Sequence, residues 1–163
     1  MRAAARSVVV LAVLAAGCGK FSVDLKQTLT ITDTTAGYFD AGIVDGRNKL
    51  LPSVTFKLNK STNDDLRPLS LNVAFKRLSG PGGAEEDFDE SFIQGLTFHG
   101  NETAPITVRP KAGYTGDPPQ SRAEMLKNSQ FRDIRVHVFA KHGSDQWVEI
   151  GAINLPRQLI VQP

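Results

Sequence analysis

Apolar and polar residues alternate in Val54-Thr55-Phe56-Lys57-Leu58-Asn59, and Leu69, Leu71, Val73 and Phe75 repeat the pattern. Successive side chains of a strand point to opposite faces, so each run sets one apolar row against a core and leaves the other row to solvent. Coiled as a helix, the same residues would spread their apolar groups around the whole circumference. Val23, Leu25, Leu29 and Ile31 alternate in the same way from Val23 to Thr32, with Gln27 alone breaking the apolar face. Ile134, Val136 and Val138 do so between Asp133, Arg135 and His137. The two central runs flank the polar turn Ser61 to Asp65 and read as an antiparallel pair. Pro52 and Pro68 stand near their starts, where a missing N–H is tolerated.

The segments between follow turn chemistry. Asp33 to Asn48 is rich in turn residues, including Ala36-Gly37 and Asp45-Gly46. Tyr38, Ile43 and Val44 within it form a short strand or pack over the core. Ser79-Gly80-Pro81-Gly82-Gly83 is a turn entering the acidic stretch Glu85, Glu86, Asp87, Asp89 and Glu90, which reads as a solvated loop. A further strand or two is expected through Phe88, Phe92, Ile93, Leu96 and Phe98. His99 to Glu102 turns the chain before Ile106-Thr107-Val108, and Lys111 to Asp117 is a loop. One helix is expected, with Asp117 as N-cap, Pro118 at the first position and Gln120 at the third, continuing from Ala123 to Lys127 and ending at Asn128. His142 to Asp145 is a turn, Trp147 to Ile150 a returning strand, and Leu159 to Val161 a last one. Seven to eight short strands with one brief helix predict an all-β fold, an immunoglobulin-like or fibronectin-like antiparallel β-sandwich. A small β-barrel is the alternative, because strand count alone does not separate the two.

Residues 1–17 have the three parts of an export signal: Arg2 and Arg6, an apolar core from Ser7 to Ala16, and small residues before Cys18. The apolar stretch is far shorter than the roughly 18 residues a spanning helix needs. Cys18 is the only cysteine, so no disulfide forms within one chain. Leu14-Ala15-Ala16-Gly17-Cys18 resembles the signal of bacterial lipoproteins, with Ala15 where that family more often has leucine. The resemblance implies diacylglycerol on the Cys18 sulfur, cleavage before it, and attachment of the mature chain to a membrane. Gly19 is not the aspartate associated with inner-membrane retention, which favours the outer membrane, on its periplasmic or its surface face. The expected organisation is a signal at 1–17, a lipidated anchor and short linker at 18–22, and a single β-sandwich domain at 23–163.

Arg2 and Arg6 belong to the signal, so of 19 basic and 17 acidic residues the mature chain keeps 17 of each. It has no basic stripe to neutralise phosphates, and nucleic acid is not an expected partner. Val54-x-Phe56-x-Leu58-Asn59-x-Ser61, Leu69-x-Leu71-x-Val73-x-Phe75 and Asn101-Glu102-Thr103 before Ile106-Thr107-Val108 resemble the FxLYD-type sandwich domains of bacterial envelope proteins. The terminal aromatic-Leu-Tyr-Asp signature of that family is absent here. The resemblance implies a binding or structural role and carries over no catalytic residues.

No catalytic constellation is visible. His99, His137 and His142 form no i, i+4 pair and lack the companions a zinc site needs, and Ser121, Ser129 and Ser144 lack a nucleophile-elbow context. The acidic stretch lacks the order of a calcium loop, and Asn101-Glu102-Thr103 fits a glycosylation sequon but reads as a turn. No metal, cofactor or catalytic residue is expected. Candidate contact residues are Arg109 and Tyr114 in the loop Arg109 to Asp117, together with Trp147, because aromatics and arginine offer large contact area at small entropic cost. Trp147 also reads as a residue filling the sandwich centre. The expected function is a lipid-anchored, non-catalytic module that binds or supports another envelope protein. A carrier of a small ligand or glycan is the alternative, motivated by Phe56, Phe75, Phe88, Phe92, Phe98 and Phe139.

Overall fold

The computed structural model describes residues 23–80 and 83–161. The signal, Cys18 and the linker to residue 22 lie outside the described residues. The chain runs α1 (Leu25–Thr28), β1 (Leu29–Val44), β2 (Arg47–Lys60), β3 (Leu69–Leu78), β4 (Glu85–Ile93), β5 (Phe98–His99), β6 (Glu102–Thr103), β7 (Ile106–Val108), β8 (Tyr114–Gly116), α2 (Arg122–Lys127), β9 (Ile134–His142), β10 (Val148–Asn154) and β11 (Leu159–Ile160).

Asp45 and Gly46 both have positive φ, 51° and 75°. That is the geometry of a two-residue hairpin turn whose twist matches its strands, and it joins β1 to β2. The free edge of β2 is taken in succession by β8, β7 and β6, and β5 pairs with β6. On the other side β11 lies parallel to β1, completing a seven-stranded sheet. Pro52 sits in the middle of β2, not near its start. Its partner Tyr38 donates its N–H to Gln158 O, away from β2. The Pro52 nitrogen therefore points to the opposite edge, in the gap between the β7 and β8 pairings, where no donor is needed.

The second sheet has the order β10-β9-β3-β4. The two sheets face each other in a β-sandwich-like arrangement, and they do not close into a barrel. The two runs read as an antiparallel pair, on β2 and β3, are not hydrogen-bonded to each other. The 61–68 segment crosses from one sheet to the other, so Val54, Phe56 and Leu58 meet Leu69, Leu71, Val73 and Phe75 across the core, all buried. Alternation defines which face is apolar, and two apolar faces pair as well by stacking as by lying side by side.

Other expectations are corrected locally. The run from Val23 is not strand throughout: Asp24 caps one helical turn, accepting from the backbone of Lys26 and Gln27, and strand begins at Leu29. Leu25 and Leu29 are both buried because a spacing of four suits a helical turn as well as a strand. The N-cap of α2 is Ser121 rather than Asp117, in a capping box with Glu124. Pro119 disfavours helical backbone at Pro118, so the helix cannot begin there, while Asn128 ends it as expected. Tyr114 to Gly116 is a short strand rather than loop. Tyr38 enters the core, but Ile43 and Val44 lie exposed near the hairpin tip.

The acidic stretch Glu85 to Glu90 is edge strand β4, not a loop. Glu85 meets Arg135 at 3.0 Å, Glu86 meets Arg132 at 3.5 Å, Asp87 pairs with Lys76, and Glu90 accepts from Asn72 at 2.8 Å. A charged edge discourages pairing with other chains.

Tyr38 is fully buried, and its hydroxyl has no hydrogen-bond partner among the described residues. Burial, reinforced by nearby Tyr114, pushes its pKa above the ordinary tyrosine value. The unfolded chain releases this proton near pH 10 while the folded chain holds it, so stability falls as pH rises beyond about 10. Tyr38→Phe is expected to leave neutral-pH stability unchanged or raise it by about 1 kcal/mol, since it removes an unpaired buried hydroxyl. It should also reduce the alkaline loss. Thermal melts at neutral and alkaline pH check both, and a marked loss at neutral pH would reject the orphan-hydroxyl account.

Candidate functional site

Three threonines form a row on the outer face of the seven-stranded sheet. Thr35 pairs with Thr55 and Thr55 with Thr107 in the registers of β1, β2 and β7, and the Thr55 and Thr107 hydroxyls are 2.9 Å apart. They face outward because Val54, Phe56 and Val108 point into the core. Arg109 follows directly. Its Nε donates to Ser53 Oγ at 3.1 Å, and its guanidinium lies 4.0 Å from the Phe39 ring centroid. These contacts hold the side chain while leaving the two terminal nitrogens outside any ion pair among the described residues. The threonines and Arg109, with Pro105, Ile160 and Val161, line an open groove of about 820 Å³. A planar guanidinium binds a carboxylate or phosphate through paired N–H groups, and hydroxyls both donate and accept.

Gly37 lets β11 form the wall of this groove. A Cβ there would lie 2.8 Å from Gln158 O and 2.8 Å from Ile160 Cγ2. Gln158 Nε2 also donates to Ala36 O at 3.1 Å, holding the approach to β11 against β1.

Tyr114 lies elsewhere, in an aromatic cluster at the core margin. Its ring is 4.1 Å from Phe131, 5.8 Å from Phe88 and 6.1 Å from Tyr38, and its hydroxyl donates to Arg132 O at 2.7 Å. Burial raises its pKa despite the Arg77 guanidinium, which lies over Phe88 and Tyr114. The side chain is half-buried and packs against these rings.

Trp147 does not fill the sandwich centre. It is 38% exposed in the β9–β10 connection, 6.0 Å from the ring of Phe92, which is 60% exposed, and Lys141 Nζ stands 4.9 Å from its ring. These groups occupy the outer face of the four-stranded sheet. Phe92 and Phe139 both stand opposite Asn72 there, while Leu71 and Val73 point inward. On the same face His137 sits between two carboxylates, with Nδ1 2.7 Å from Glu149 Oε1 and Nε2 3.0 Å from Glu85 Oε2. The fold thus separates Arg109, Tyr114 and Trp147 instead of bringing them together. The threonine row, Phe39 and Ser53 were not singled out in the sequence. Alternation marks Thr55 as outward-facing, but its neighbours Thr35 and Thr107 come from distant positions.

The fold and groove define a mostly-β, two-sheet domain with an arginine-bearing surface cleft. No protein-family model matches the chain, and no curated protein or solved structure matches it.

Proposed function

We propose that this chain is a lipid-anchored bacterial envelope protein, held on Cys18 at the outer membrane. Its domain, an immunoglobulin-like or fibronectin-like sandwich without catalytic function, binds another envelope protein through the Arg109 groove. The observation that carries this reading is Arg109 itself: oriented by Phe39 and Ser53, half-buried, and without an ion-pair partner among the described residues. An acidic side chain or chain terminus of a partner would complete it. The lipoprotein-like signal Leu14-Ala15-Ala16-Gly17-Cys18 supports the anchor, since two or more acyl chains hold a protein stably on a membrane.

The hydroxyl row favours one second reading, a small anionic ligand or glycan bound in the groove. With Phe56 and Phe75 wholly buried in the core, that ligand would occupy the surface cleft rather than an internal cavity.

Crosslinking and affinity capture of the lipidated protein from envelope membranes tests the proposal, with Cys18→Ser and Arg109→Ala as comparisons. A stoichiometric protein is expected with the wild type, diminished by Arg109→Ala and by Cys18→Ser, the latter also releasing the chain from membranes. Equal recovery with Arg109→Ala would remove the groove from the interface. Unchanged membrane fractionation of Cys18→Ser would overturn the anchor, and no specific protein in any arm would favour the small ligand.

A further inference from the structure

We infer that Trp147, Phe92 and Lys141 form a membrane-docking patch that seats the β9–β10 end of the four-stranded sheet on the bilayer and turns the Arg109 groove away from it. The inference rests on the lipid anchor at Cys18 and adds how the anchored domain is oriented.

The first support is where the tether meets the fold. Ser61 N donates to Thr28 O, at the end of α1, and Gly143 N donates to Pro68 O. The α1 turn, the 61–68 crossover and the β9–β10 connection therefore share one end of the sandwich. Trp147 lies in that connection, and Phe92 is one residue from the end of β4. The Asp45-Gly46 tip lies at the far end of β2, separated by thirteen residue steps. Only five residue steps join Cys18 to Val23. A chain spans at most about 3.6 Å per residue, so a lipidated Cys18 holds Val23, where the fold begins at this end, within roughly 18 Å of the lipid-bearing cysteine. The tether keeps the patch at high local concentration beside the surface, where even a weak contact is populated.

The second support is chemistry. Two exposed aromatic side chains, one of them the chain's only tryptophan, lie side by side on this face with ring centroids 6.0 Å apart. Tryptophan concentrates at membrane–water interfaces, where its ring meets the acyl boundary and its N–H the headgroups. Lys141 beside it can lay its methylenes along the indole while its ammonium reaches phosphate. The patch and the groove lie on outer faces of opposite sheets, so docking one exposes the other to a partner.

Trp147 supplies its own reporter. The lipidated mature protein is reconstituted into phosphatidylcholine–phosphatidylglycerol vesicles with and without acyl-brominated lipid, and Trp147 emission and vesicle flotation are measured together. The expected result is flotation with a blue-shifted emission that the brominated lipid quenches. Phe92→Ser should weaken the quenching while flotation persists. Flotation with emission as red and as accessible to iodide as in soluble Cys18→Ser would overturn the docking patch and leave the anchor standing. Failure to float would overturn the anchor and, with it, the orientation built upon it.

Discussion

Phe75→Ala is expected to cost about 3–5 kcal/mol of folding stability, close to the limit for a domain whose total is of the order of 5–15 kcal/mol. Phe75 is completely buried on β3, an inner strand of the four-stranded sheet, opposite Val136 of β9 and facing the β2 side chains across the core. Removing its ring forfeits transfer energy and leaves a cavity that two hydrogen-bonded neighbours prevent from collapsing. Phe92→Ala, on the outer face of the adjacent strand, is expected to stay within about 0.5 kcal/mol of the wild type. Urea unfolding of both variants makes the comparison at constant chemistry. Equal losses would mean that the faces of the small sheet are assigned wrongly.

Gly37→Ala is expected to disrupt the edge of the large sheet where β11 meets β1. Gly37 has φ 157°, and an added Cβ meets the Gln158 carbonyl and Ile160 at 2.8 Å, a backbone atom and a side chain of the segment that walls the groove. Neither can yield without moving β11. Overpacking of this kind costs roughly 1–3 kcal/mol, and the local effect should exceed the global one. The Tyr38 amide, which donates to Gln158 O, should lose most of its hydrogen-exchange protection, and the groove its Ile160 wall. By contrast, Gly46→Ala meets nothing within 4 Å at φ 75° and should show only the strain of left-handed backbone, about 1 kcal/mol. Unchanged protection at Tyr38 in Gly37→Ala would show that β11 is not held as described.

Much of the fold is legible from side-chain periodicity. The apolar rows at Val54 to Leu58, Leu69 to Phe75 and Ile134 to Val138 are all core rows. The Asp45-Gly46 turn was visible from its residue types, though the long hairpin it closes was not. The acidic stretch reads as a loop because charge on an edge strand and charge on a loop look alike in one dimension. Arg135, Arg132 and Lys76, which meet those acids, come from other segments. The sequence offers Asp117 as the N-cap of α2 because an aspartate satisfies a cap by type. Instead it pairs with Arg47 at 2.7 Å, and Ser121 and Glu124 close the box.

The candidate site was less legible. Arg109 stands out in the sequence by its residue type, but its orientation depends on Phe39 and Ser53, and the row beside it on strands far apart in the chain. Trp147 could be read as core or as surface, since a lone tryptophan after a turn is compatible with both.

From the sequence alone came the alternation that makes this a β-rich chain, the turn that closes its first hairpin, and the lipobox-like motif that proposes its address. These are local properties, written in the spacing and type of neighbouring residues. Tertiary structure decided which apolar rows lie side by side and which stack across the core, where Trp147 ends up, and that Arg109 stands beside Thr35, Thr55 and Thr107. Those are non-local outcomes, because a period of two specifies a face for each side chain but not the strand that will lie next to it.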